Sequence, residues 1–313
     1  MSAVDSSPIL HAQDARVAVD DVVAIDHLTM ASRGDRVVCV GEVEVLFAAL
    51  TCVPLRARAQ AMEDDDLPGE AHVVAGTLLV GGRDVATRAH LATTGVSPLN
   101  LPLPERMTAH EYVTWSARLG GIAERAAREM AAAALERVGL TGAMRYPAAA
   151  LGPGQRRALG LANAVVADPR VIVAEAPLAG LDVHAAMFVT NAMAAVTQGR
   201  GAIFSVHRME PGTPEGELSH GASHAVVIAG GAAVLEGAPA ELFAGARIYG
   251  VTVRGNAGAF RQELEARGIA VRGGPLRMSA VLPEGGTTRE ILAAAKAARA
   301  PVVELFPIVG GAG

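Results

Sequence analysis

The sequence predicts an α/β fold built on a mainly parallel sheet, followed by a smaller α+β unit. Three observations carry that expectation. The short runs 171–174, continuously apolar, and 202–206, apolar but for Ser205, have the length and β-branched content of strands buried on both faces. Helical stretches, 155–167 and 183–197, alternate with them, which is the order that builds a parallel sheet. A composition shift near Gly245 then opens a second unit.

Composition narrows the function before any motif is read. The chain has 313 residues, 51% hydrophobic and 19% charged, enough apolar content for a sizeable core. Aromatic residues are only 3% and the formal net charge is −5, so base stacking and a nucleic-acid partner are not expected. Of 27 basic residues a single one, Lys296, is lysine. Any chemistry that needs a lysine in the first two-thirds of the chain is excluded. Two cysteines, Cys39 and Cys52, are too few for a metal site or a disulfide framework and read as buried thiols. No metal site is expected. No charged-then-apolar leader opens the chain, and the longest apolar candidate, 171–196, is broken by Glu175, Asp182 and His184, so a cytoplasmic chain is expected. The Ala, Gly and Arg bias fits a GC-rich bacterial genome.

Along the chain, residues 1–16 read as a loose tail. Strands are expected at 17–24 and 36–40, with Gly41 ending the second, and a helix at 43–53. The acidic run Glu63 to Asp66 before Pro68-Gly69 reads as a solvated loop. Residues 76–85 read as a hairpin through Gly81-Gly82, and 108–119 and 124–138 as helices. Gly152-Pro153-Gly154 is a turn before the helix from Gln155, which Asp168-Pro169 stops. Residues 225–235 read as a hairpin through Gly230-Gly231. The last unit, 246–308, reads strand 248–254, helix 257–267, strands 269–272 and 276–282, helix 287–298 and strand 302–306, a β-α-β-β-α-β order of ferredoxin-like type. Residues 309–313 read as a frayed tail.

The stretch 151–207 holds the informative motifs. It opens Leu151-Gly152-Pro153-Gly154-Gln155, passes through a helix to the strand ending Ala174-Glu175-Ala176-Pro177, continues with Ala179-Gly180-Leu181-Asp182, and closes on Ser205-Val206-His207. In order and spacing this resembles the ATP-binding cassette (ABC) ATPases, with their LSGGQ signature loop, Walker B strand, D-loop and switch histidine. The resemblance extends from about Arg16 to Phe306. It implies an ABC ATPase domain over 17–245, a helical subdomain at about 100–165, and the C-terminal extension of exporter motor chains over 246–308.

The family's phosphate-contacting residues are replaced one after another. A P-loop needs small residues whose backbone N–H groups cradle phosphate, a lysine on the phosphates and a hydroxyl on Mg²⁺. Counted from Gly41, the inner glycine position falls on Leu46, the lysine position on Phe47 and the hydroxyl position on Ala48, while Glu42 and Glu44 place carboxylates where a polyanion would sit. No aromatic residue precedes Phe47 to stack adenine, and no glutamine lies between Gln60 and Gln155, with Leu99 near the place of the family's water-sensing glutamine. Glu175 takes the metal-associated position and Ala176 that of the general base, whose loss typically costs about 10²–10⁴-fold. The signature loop keeps Gly154 and Gln155 but has Pro153, which has no N–H to offer. Gly180-Leu181-Asp182 and His207 are retained.

The expectation is therefore a chain without catalytic residues, whose nucleotide-site remnants are Gly41, Gly154, Gln155, Glu175, Asp182 and His207. No cofactor is expected, beyond weak Mg-ATP binding or contact in trans with nucleotide held by a partner. The resemblance implies pairing with a catalytic ABC ATPase chain, or with itself, and docking on an integral membrane permease at the cytoplasmic face of the inner membrane. Two other readings stay open: an ATP-independent scaffold in an envelope-associated assembly, and an ATPase with atypical ligands.

Overall fold

The computed structural model describes residues 7–55, 69–245, 247–274, 278–283 and 285–309. The acidic run Glu63 to Asp66, Gln60 and the ends 1–6 and 310–313 lie outside the described residues, as does the start of the strand expected at 276.

The chain opens with an antiparallel hairpin, β1 (Leu10–Val19) and β2 (Val22–Ala31), then β3 (Arg36–Gly41), α1 (Glu44–Thr51), β4 (Ala71–Val80), β5 (Arg83–Asp84) and β6 (Thr94–Ser97). Three helices follow, α2 (Ala109–Leu119), α3 (Glu124–Arg137) and α4 (Pro153–Val165). The chain then alternates through β7 (Val171–Ala174), α5 (Val183–Thr197), β8 (Gly201–Val206) and α6 (Pro214–His220) to the hairpin β9 (His224–Ala229) and β10 (Ala232–Gly237), and to α7 (Pro239–Gly245). β3, β6, β7, β8 and β9 are parallel in the order β9-β3-β8-β7-β6, with β10 antiparallel on the β9 edge. Every residue of β7 and β9 is buried, as strands covered on both faces must be. One face carries α2 to α5, and the other carries α1 and the antiparallel sheet β2-β1-β4-β5.

Local chemistry sets the element ends. Thr108 caps α2 in a box with Glu111: the Glu111 amide donates to the threonine hydroxyl, and the Thr108 amide donates back to the Glu111 carboxylate at 2.9 Å. That bonding holds the Glu111 carboxyl below its usual range. Pro153 takes the first position of α4, where a missing N–H costs nothing. Burial pushes the Cys39 thiol up to about 12, so it stays protonated within its strand.

The second unit runs β11 (Ile248–Val253), α8 (Ala257–Glu265), β12 (Ala270–Gly273), β13 (Met278–Val281), α9 (Thr288–Ala297) and β14 (Val302–Val309). Its sheet is antiparallel, in the order β12-β13-β11-β14. Phe260, Leu264, Ile291 and Ala294 of its helices pack on Tyr249, Val251, Met278 and Ala280.

Several boundaries differ from those expected. Residues 10–16 are strand, not tail: Leu10, Ala12 and Ala15 point inward, and a bulge at Asp14, with φ +49°, interrupts the alternation that would have marked them. Asp20-Asp21 divides the expected strand 17–24 into two. β4 begins at Ala71, and Gly76 with φ +70° sits inside it: an added Cβ would lie 2.1 Å from the Asp14 carbonyl oxygen, so the glycine admits the neighbouring bulge. α4 begins at Pro153 rather than Gln155. β14 runs three residues past 306, and Val309, expected to fray, is fully buried.

Candidate functional site

The loop from β3 to α1 is the natural place to look for phosphate binding. Only Glu42 and Val43 separate the strand from the helix. Gly41 has φ +95°, and a Cβ there would meet the Ile228 carbonyl oxygen at 2.4 Å, so the turn is pressed against β9. Its amides point inward: Glu42 N–H donates to Ile228 O at 2.9 Å, and Val43 N–H to Gly41 O at 3.0 Å. The Glu42 carboxylate reaches across to accept the Gly230 amide at 2.6 Å. Glu44 places its carboxylate in the first turn of α1, against the positive end of the helix. Leu46 and Phe47 already belong to the helix and are fully buried beside Leu28, Cys39 and Val80.

Glu175 lies just past the end of β7 and is 5% exposed. Its Oε2 accepts the Leu99 amide at 3.1 Å, and its own amide donates to Ser97 O. It faces Arg157 of α4, whose pKa is drawn down by burial and partly restored by the Glu175 charge. The Arg157 guanidinium donates to the Ala179 carbonyl at 3.3 Å. Ala176 has φ +39° and donates its amide to Ser205 Oγ at 2.8 Å. A methyl group on a left-handed backbone is all this position presents.

Two of the remaining remnants serve helix ends. Asp182 caps α5, its Oδ1 accepting the Ala185 amide at 2.9 Å. Gln155 accepts the Gly152 amide at 3.1 Å through its side-chain oxygen and so closes the start of α4. Gly154 lets α4 approach α5: an added Cβ would sit 3.0 Å from that of Ala185. His207 is exposed at the end of β8.

The structure gathers only part of the expected set. Gly41 and His207, with Glu42, Glu44 and the segment 178–181, line one cavity of about 700 Å³. Gly154, Gln155, Glu175 and Asp182 are not in its wall. Sequence reasoning missed Arg157, Leu99 and Ser205 as the partners of the Walker B remnant. Arg157 is one of two adjacent arginines at the start of α4, and nothing in the sequence marks which of them turns inward; the Leu99 contribution is a backbone amide, which no side-chain pattern announces. It also missed Phe306 and Ile308 of the second unit, which line the same cavity. Among the described residues no group of three or more His, Cys, Asp or Glu side chains could hold a metal ion, and no helix is long and apolar enough to cross a membrane.

Comparison with known proteins agrees with this architecture. No protein-family model matches the chain. The human phospholipid-transporting ATPase ABCA7 is 29% identical over 225 residues, covering 66% of this chain and 10% of that protein. The Nod factor export ATP-binding protein I of Burkholderia orbicola is 32% identical over 179 residues, covering 56% of this chain and 57% of the relative. The chain thus spans a tenth of the first of these relatives and little more than half of the second. Among solved structures, cbiO1 from Clostridium perfringens, part of the ABC transporter complex cbiONQ, superposes with a TM-score of 0.57 at 19% identity, covering 76% of this chain and 91% of that one. The chain has the mixed α/β fold of the ABC ATPase nucleotide-binding domain, and its sequence is similar to ATP-binding proteins of that kind.

Proposed function

We propose that the chain is a non-catalytic ABC-type subunit, which pairs with a catalytic ABC ATPase chain and docks with it on a membrane permease. The observation that carries this reading is Phe47. The resemblance expects a lysine there, and the side chain is fully buried inside the hydrophobic core. The phenyl ring packed there presents no cation to a phosphate.

The surroundings support the same reading. The short loop spends its amides on Ile228 and Gly41, and the cavity in front of it is lined by the acidic Glu42 and Glu44. The residues present do not fit a magnesium triphosphate. Ala176 has no group to accept a proton from water. What remains intact is scaffold: the parallel sheet, the capped start of α5 after Gly180-Leu181-Asp182, and the helices α2 to α4. A chain of this kind contributes a binding surface and a rigid body to a transporter, while hydrolysis falls to its partner.

The test is a thermal-shift titration of the full chain with Mg-ATP to millimolar concentration. A ligand at 100 times its Kd stabilises a fold by roughly 2.7 kcal/mol. The expected result is no saturable shift. A Mg²⁺-dependent, saturable shift overturns the reading.

A further inference from the structure

The cavity of about 700 Å³ in front of the β3–α1 loop is built by both units. Its second-unit wall follows from strand alternation. α8 and α9 pack on Met278 and Ala280, so Ser279 between them points the other way, toward the first unit. With Phe306 and Ile308 of β14 it lines the cavity. An apolar contact holds that wall in place: Ile248, Ile308 and Val309 belong to the same core as Val38 and Val40 of β3, and the Met209 amide donates to Ile308 O at 2.8 Å. Gly180 and His207 are exposed where they line the cavity, so solutes can reach it.

Two independent features of the wall point to a ligand. The first is Ser279. It is 1% exposed, and its hydroxyl has no hydrogen-bond partner among the described residues. A buried hydroxyl is ordinarily bonded, so this one is placed to serve a group that enters the cavity. Gly250 pairs with Ser279 on one side and Phe306 on the other, and the Phe306 ring lies over it, where a Cβ would come within 2.3 Å. The orphan hydroxyl is thus set in an apolar, aromatic wall. The second feature is charge. Among the described residues the wall carries three carboxylates, Glu42, Glu44 and Glu215, against one guanidinium, Arg208. Glu42 accepts the Gly230 amide at 2.6 Å and Glu215 the Arg208 amide at 3.3 Å, bonds that fix a carboxylate without cancelling its charge. The Arg208 guanidinium turns to Glu210 at 3.6 Å. A concave wall with an excess of one sign gathers ions of the other, which in this cavity are cations.

We propose that the cavity binds a small organic cation: a primary amine with an apolar body and a hydroxyl. The ammonium faces Glu42, Glu44 and Glu215, the body lies against Phe306 and Ile308, and the hydroxyl pairs with that of Ser279. A cavity of this size, mostly apolar with a few polar groups, is the usual form of a small-molecule site. This deepens the reading above, on which it rests, by naming what the altered site takes in place of a nucleotide. A ligand so placed touches both units at once, and its binding stabilises their docked arrangement.

Isothermal titration calorimetry of the full-length chain tests the site, with tyramine as the probe. Phenethylamine lacks the hydroxyl of tyramine, and para-hydroxyphenylacetate carries a carboxylate in place of the amine. The expected result is saturable binding of tyramine, weaker binding of phenethylamine and none of para-hydroxyphenylacetate. Glu44→Gln combined with Glu215→Gln keeps side-chain volume, removes two charges, and is expected to weaken tyramine binding by about tenfold or more. Ser279→Ala is expected to bring tyramine down to the affinity of phenethylamine and to leave phenethylamine unchanged. Three results overturn the site: no saturable binding of tyramine at millimolar concentration, binding of para-hydroxyphenylacetate as tight as that of tyramine, or tyramine binding that either variant leaves unchanged. Saturable Mg-ATP binding by a chain that also binds tyramine as expected overturns the non-catalytic reading but not the amine site. Binding of neither tyramine nor Mg-ATP overturns the amine site but not that reading.

Discussion

The Leu99 amide donates to the Glu175 carboxylate at 3.1 Å, joining the loop after β6 to the end of β7. In an ABC ATPase these two places would carry the water-sensing glutamine and the metal-associated acid. Here one supplies a backbone donor and the other an acceptor. Glu175→Ala strands that amide and removes the charge facing Arg157, and is expected to cost about 2 kcal/mol. Glu175→Gln keeps an acceptor and is expected to cost less than half as much. Urea denaturation of both variants checks this; equal losses would contradict a hydrogen-bonding role.

A lysine placed at position 47 is not expected to create a phosphate site. Phe47→Lys trades a fully buried ring for a buried ammonium and is expected to destabilise the chain by about 4 kcal/mol or to prevent folding. Phe47→Leu, which stays apolar, is expected to cost about 1 kcal/mol. Thermal melts give the costs, and any Mg-ATP-dependent stabilisation of the lysine variant would contradict the buried placement.

Asp182 keeps the residue type of the D-loop, and its visible work is capping α5. Asp182→Ala is expected to cost about 1 kcal/mol, and Asp182→Asn, which can still cap, a few tenths. Chemical denaturation distinguishes this from a residue acting only between chains, whose loss leaves the stability of the isolated chain unchanged.

Acidification exposes a weak point at the start of β9. His224 is 4% exposed, and burial lowers its pKa from 6.5; Glu236 opposes that shift and Arg33 adds to it. The folded chain holds the ring neutral while the unfolded chain protonates it near pH 6.5. The unfolded state therefore binds more protons between the folded and unfolded pKa values, and stability falls as pH drops through that window. Denaturant midpoints measured from pH 7.5 down to 5 are expected to decline, and His224→Phe is expected to flatten this part of the decline.

Much of the fold was legible because its strands carry unmixed signals. Residues 171–174 are a continuous apolar run and 202–206 is apolar but for Ser205, and both read as buried strands in an alternating chain. β1 was hidden because the bulge at Asp14 breaks its period of two. The last residues of β14 were hidden because their burial depends on a surface far away in sequence. At the site, which residues stand where the resemblance expects phosphate contacts could be read position by position. What replaced them could not: Glu42 on Gly230 and Glu175 on Leu99 are contacts with backbone amides brought close only by folding. Gly154 and Gln155 looked like ligand contacts by resemblance, while their roles here, close helix packing and helix capping, follow from local geometry.

The sharing of one core by Val38 and Val309 bears on how the chain is made. The ribosome delivers β3 well before β14, so the first unit emerges with an oily patch that nothing yet covers. Vectorial synthesis does not let that unit finish before the second begins. Until the closing strand arrives, the nascent chain depends on chaperones or on speed, and a stalled or prematurely ended message yields a sticky product rather than a smaller working one.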